Sequence, residues 1–77
     1  MQLNNYRVKD LYLAAYIYSE GQELRDVERM GKVCWFIFSD TNKCEKLSNL
    51  YWKNQATSKI KSYTDAIRTL KDLIYSS

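Results

Sequence analysis

The chain has 77 residues, 27% of them charged and 14% aromatic, with two cysteines, no histidine, no proline and a net charge of +3. That length holds one domain, residues 1–77, around one small core. The missing histidine removes the commonest general base, and the longest uncharged stretch, Leu11–Ser19, falls well short of the roughly 20 residues that span a bilayer.

The first predicted element is a helix over residues 8–19, with Asp10 in its first turn, where a carboxylate meets the positive end of the helix dipole. Gly21 follows as a residue able to close it in the left-handed conformation. The middle of this helix, from Leu11 to Tyr18, carries no charge. At 100° per residue its side chains wrap the whole cylinder, and a helix that is apolar all round is buried all round. Two outcomes are consistent with so small a chain: self-association, or tyrosines (Tyr6, Tyr12, Tyr16, Tyr18) that keep their hydroxyls in water.

Residues 23–29 read as an edge strand. Leu24 and Val27 are its apolar residues, and their odd spacing suits a bulge. The charges of Glu23, Arg25, Asp26, Glu28 and Arg29 protect the edge from pairing with other chains. Met30-Gly31 forms the turn, with Gly31 supplying positive φ. Then comes Val33-Cys34-Trp35-Phe36-Ile37-Phe38, apolar in both alternating sets and therefore a strand that wants cover on both faces. The resulting two-stranded hairpin needs helices on at least one face. If only one face is covered, part of Trp35 and its neighbours is left for a partner.

Ser39-Asp40-Thr41-Asn42 is a run of N-cap residues that starts a second helix. Cys44, Leu47, Leu50 and Tyr51 share one of its faces, with Trp52 about 100° away from Tyr51. Residues 54–58 connect it to a last helix, residues 59–75, capped by Thr57 or Ser58. Ile60, Tyr63, Ile67, Leu70 and Ile74 recur there at spacings of three and four, widened by Ala66 and Leu73. The expected architecture is α+β, in the order α-β-β-α-α, with a β-hairpin covered by helices.

Several of these residues carry a resemblance. Tyr6-Arg7 and Asp10-Leu11-Tyr12-Leu13, then Phe36-Ile37-Phe38, then Tyr63 with Asp65-Ala66-Ile67-Arg68-Thr69-Leu70-Lys71, together resemble a family of short proteins from bacteria, archaea and their viruses. That family is catalogued as a domain of unknown function, and the similarity covers most of the chain. It implies a prokaryotic or phage-like cytoplasmic origin and supplies no activity, cofactor or catalytic residue. A cytoplasmic location is also the default for a chain whose residues 1–5 show no signal-peptide pattern and whose two cysteines need no oxidising compartment.

The chemical inventory points away from catalysis. No G-x-S-x-G, Walker or G-x-G-x-x-G motif is present. Asp26 and Glu28 share a strand face but read as part of a solvated edge. A Cys34–Cys44 disulfide is open on count alone, although two semi-buried free thiols are the simpler reading. Cys44 follows Lys43 near a helix N-terminus, which favours a thiolate, yet no base stands by it. The chain reads as a non-enzyme that uses no cofactor and no metal.

Two binding readings remain. The first is a protein-interaction domain, self-associating as a homodimer or docking on another protein. Its anchors would be Tyr12, Leu13, Tyr16, Ile17 and Trp35, since Tyr and Trp dominate interface hot spots. The second rests on charge: residues 1–42 carry a net −1 and residues 43–77 a net +4. Lys53, Lys61, Arg68 and Lys71, with Trp52 as a stacking partner, would then contact nucleic acid. The spacing of Lys61 to Asp65 and Arg68 to Asp72 equally suits a salt-bridged exterior.

Overall fold

The computed structural model describes residues 5–76, so the first four residues, most of the opening stretch read for a signal peptide, lie outside the described residues. The elements are β1 (Tyr6–Val8), α1 (Leu11–Ser19), β2 (Leu24–Met30), β3 (Val33–Phe38), α2 (Thr41–Trp52) and α3 (Ile60–Tyr75). The expected succession α-β-β-α-α is present, preceded by a short strand that the sequence reading placed partly inside the first helix. Val8 is therefore strand, paired with Phe36 and buried in the core. Three residues are too few to display an alternating pattern, which is why their pairing decides the matter.

The sheet is antiparallel in the order β1-β3-β2, so the doubly apolar β3 is central. Register places Tyr6, Val8, Phe36, Phe38, Leu24 and Val27 on the inner face. All six belong to or pack on the core cluster. Leu24 and Val27 can both point inward because the pairing slips between Leu24 and Asp26, leaving Arg25 as the extra residue of a bulge. The hairpin turns through Gly31-Lys32. Gly31 has φ of 64° and Lys32 stays out of the positive-φ region, the II′ pattern with glycine at its first position.

Asp10 lies just outside α1 and caps it, its Oδ1 accepting from the Tyr12 and Leu13 amides at 2.9 and 3.1 Å. Gly21, at φ of 89°, ends the helix as expected. α1 packs against both α2 and α3, and those two helices pack on α1 far more than on each other. Nine residues are only about 14 Å of helix, and that is short enough for the inner sheet face and two helices to surround it. Leu13 to Ile17 are consequently all buried, without a second chain. Their burial, with that of Phe36 and Phe38, contributes roughly 1.5–3 kcal/mol for each large side chain.

Two details of the helices depart from the sequence reading. α3 begins at the backbone of Lys59 with no side-chain cap, so neither Thr57 nor Ser58 serves that role. Ile60, Leu73 and Leu50, assigned to apolar faces, are exposed. In α3 sixteen residues make about 24 Å of helix against the 14 Å of α1, so the first turn with Ile60 overhangs, whereas Ile74 in the last turn still packs on the core. On α2 the buried polar position is Ser48, which accepts a 2.7 Å hydrogen bond from the Tyr6 hydroxyl and so ties β1 to the helix layer.

An aromatic groove between the helix ends

The site is built by the way α2 stops. After Trp52 the chain passes through Lys53 to Asn54, which adopts a left-handed φ of 62°. The Asn54 amide donates to Tyr51 O and the Gln55 amide to Leu50 O, at 3.1 and 2.8 Å. These are the two bonds of a Schellman closure, in which a residue with a short polar side chain can replace glycine. The connection then runs to Lys59 and swings α3 back along α1. Because α2 and α3 each pack on α1, their facing ends stay apart.

The gap is a groove of about 610 Å³, within the size range of ligand and side-chain sites. Tyr16 of α1 forms its floor, Tyr51 and Trp52 one wall, and Ile60 and Tyr63 the other. Asn54, Ala56, Thr57 and Ser58 close one end. The rings grade from core to solvent. Tyr16 is buried and stacks on Tyr51, with centroids 6.3 Å apart, and Tyr51 meets the edge of Trp52 at 5.0 Å and 86°. Trp52 and Ile60, at the mouth, are 66% and 85% exposed.

Polar bonds hold the walls. The Tyr63 hydroxyl donates to Tyr12 O at 3.1 Å, and the hydroxyls of Ser19 and Ser58 share a bond of 3.2 Å. The three phenols of the groove titrate above the ordinary tyrosine range. For Tyr16 the causes are burial and then Glu20. Tyr51 is raised by burial, then by Asp10 and Tyr12. Tyr63 is raised by burial, then by Tyr51, Asp10 and Tyr12. The lining is therefore neutral at physiological pH: apolar ring surface with a few hydroxyls, suited to holding a bulky side chain and not to moving protons.

The residues proposed from sequence as interface anchors are not brought together. Leu13, Tyr16 and Ile17 are buried, so they cannot anchor a partner on the surface, although Tyr16 is among the residues that line the groove. Tyr12 is 53% exposed on α1. Trp35 is half-buried and, by its register beside Glu28, lies on the opposite face of the sheet. There Arg7 and Lys9 stand over its ring at 5.3 and 5.9 Å. Of the residues proposed for nucleic acid, Trp52 lines the groove and Lys53 follows it. Lys61 is exposed and paired with Asp65 at 3.2 Å, while Arg68 and Lys71 lie further along α3, outside the groove lining.

The sequence reading missed Ile60 and Tyr63 as site residues because they fit the apolar stripe of their helix. A faint signal existed in Ile60, an apolar residue in the first turn directly after a long polar connection. The cysteines are both free, Cys34 half-buried on β3 and Cys44 fully buried. Burial and then Asp40 push the Cys44 thiol up to about 11, away from the thiolate that a nucleophile needs.

Among the described residues, no group of three or more Asp, Glu or Cys side chains is placed to hold a metal ion. No helix there is long and apolar enough to cross a membrane. No curated protein and no solved structure gives a significant match to the chain. A family model does match, over residues 3–76, and its coverage leaves only the terminal residues out. The chain belongs to the family described as Domain of unknown function (DUF5659).

Proposed function

We propose that this domain is a non-enzymatic docking module that seats a segment of another protein in the groove between α2 and α3. The observation that carries the reading is a preformed apolar cavity with two large hydrophobic side chains, Trp52 and Ile60, standing in water at its mouth. Exposed apolar surface of that kind usually marks an interaction site. Aromatic anchors beside a concave pocket are the usual composition of an interface centre.

Site-specific photo-crosslinking in cells tests this. A benzophenone amino acid at position 60 is expected to give one discrete adduct, absent when the probe is moved to position 45 and weakened by Trp52→Ala. An adduct of twice the chain mass would assign the groove to a second copy of the domain. Equal labelling from positions 60 and 45 would overturn the reading.

Nucleic-acid contact is the second reading, favoured by the adjacency of exposed Trp52 and Lys53 at the groove mouth. Anisotropy with labelled single- and double-stranded DNA and RNA tests it. Saturable binding that weakens steeply with salt, and that drops when Lys61, Arg68 and Lys71 are changed to Glu, would support it.

A further inference from the structure

The segment that frames the groove is uniformly basic. From Tyr51 to Tyr63, the segment that forms both walls and the closed end, the chain carries Lys53, Lys59 and Lys61 and no carboxylate. α3 also opens here without a side-chain cap, so the positive end of a sixteen-residue helix faces this rim uncompensated. We propose that the partner segment is acidic and presents one bulky apolar side chain, which enters the groove while its carboxylates meet Lys53, Lys59 and Lys61. The proposal rests on the protein-docking reading and adds the chemistry of the partner to it.

Acidic groups also stand near the site. Asp10 and Glu20 act on the groove phenols from the two ends of α1. Like them, Lys53, Lys59 and Lys61 do not line the cavity itself, but each lysine adjoins a lining residue in the chain: Lys53 lies between Trp52 and Asn54, and Lys59 and Lys61 flank Ile60. Asp10 is engaged by the Tyr12 and Leu13 amides. Asp65 is drawn to Lys61, but at 3.2 Å and with the Lys61 side chain 86% exposed, a pair of this kind contributes little and yields readily to a competing carboxylate.

A nucleic-acid strand fits less well. It needs cations that continue along its backbone, whereas Arg68 and Lys71 sit about 12 and 16 Å down α3 from Ile60, by the rise of the helix. Asp65 and Asp72 interrupt that track. A concave apolar seat with a short cationic rim matches a side-chain anchor flanked by carboxylates.

Three labelled peptides of equal length, each with a central Phe flanked by Glu/Asp, by Gln/Asn or by Lys, test this with the full chain by fluorescence anisotropy. An acidic peptide with Ala in place of Phe and a single-stranded DNA of matching charge complete the set. The acidic Phe peptide is expected to bind about tenfold or more tighter than the neutral one, with the gap closing as salt rises. Lys53→Glu with Lys59→Glu should remove the preference, and Ile60→Ser should remove binding, both with an unchanged circular dichroism spectrum because these side chains are exposed.

Equal binding of the acidic and neutral Phe peptides would overturn the acidic preference and leave groove docking standing. Equal binding of the Ala peptide would overturn the anchor. Tighter binding of the DNA than of any peptide would assign the rim to nucleic acid and overturn the proposal. Failure of every Phe peptide to bind would overturn the proposal and the groove reading together.

Discussion

Arg7 Nη2 of β1 reaches across the central strand to Glu28 Oε1 of β2, at 2.9 Å, and the pair roofs the outer face of the sheet. Ile37 of β3 is in register with Arg7 and points to that face, yet is only 5% exposed. On that face its neighbours by register are the Arg7–Glu28 salt bridge and the ring of Trp35. This is how a strand apolar on both faces is satisfied in a chain whose helices lie on one side.

Removing Arg7 should cost more than removing Glu28. Arg7→Ala loses the ion pair, the cation–π contact with Trp35 and the cover over Ile37, together about 1–2 kcal/mol. Glu28→Ala should cost under about 1 kcal/mol, and Arg7→Met should recover the part that comes from covering Ile37. Urea unfolding of the three variants measures this. Equal losses for Arg7→Ala and Arg7→Met would show that the aliphatic cover is worth nothing.

Tyr6→Phe should be more harmful than Ser48→Ala. The first leaves the buried Ser48 hydroxyl without the donor it has now, at about 1–2 kcal/mol. The second leaves the hydroxyl of Tyr6, a half-buried residue, which water can reach. The double variant should match Ser48→Ala within about 0.5 kcal/mol, as read from denaturant midpoints.

Thr41 points the other way. Its Oγ1 is buried and has no hydrogen-bond partner among the described residues. Thr41→Val keeps the shape and removes the orphaned hydroxyl, so a gain of about 0.5–1 kcal/mol is expected. A thermal shift downward would contradict it.

Asn54 holds the turn that shapes the groove. Asn54→Gly should leave stability equal or slightly raised, whereas Asn54→Ala should lose about 1 kcal/mol, because a Cβ without a compensating local bond is disfavoured at positive φ. Any peptide affinity measured for the groove should fall for the Ala variant only. Calorimetric unfolding with the anisotropy assay separates the two effects.

The Cys44 thiol predicts an alkaline slope. Its folded value near 11 lies above that of an exposed thiol, so the folded state holds the proton more tightly. That part of stability is complete below about pH 9 and lost as pH rises toward 11. Tyr16, Tyr51 and Tyr63 are shifted in the same direction and add to the decline higher up. Cys44→Ala, less stable at neutral pH, should show a shallower fall between pH 9 and 11. At pH 7 a thiol reagent should label Cys34 first and reach Cys44 only on unfolding.

What the sequence determined by itself was the set of elements with strong local codes. The 3.6-residue stripe marked α3, the cap cluster around Asp40 marked the start of α2, and Gly31 marked the hairpin. The odd Leu24–Val27 spacing marked the bulge. Each of these rests on interactions within a few residues, so the chain states them directly. The basic balance of the C-terminal half was equally plain, and of the residues that it drew attention to, Trp52 lines the groove and Lys53 follows it in the chain.

Only the tertiary structure decided the rest. β1 exists because Val8 and Tyr6 pair with β3 across some thirty residues of chain, a relation no local pattern encodes. The burial of Leu13, Tyr16 and Ile17, which removed them as surface anchors, depended on α1 being flanked on several sides at once. The groove depended on a mismatch in helix length and on α2 and α3 both choosing α1 over each other. Apolar residues at helical spacing look alike in sequence whether they enter a core or overhang it. Ile60 and Leu70 belong to one stripe, and only the position of α1 leaves the first in water and buries the second.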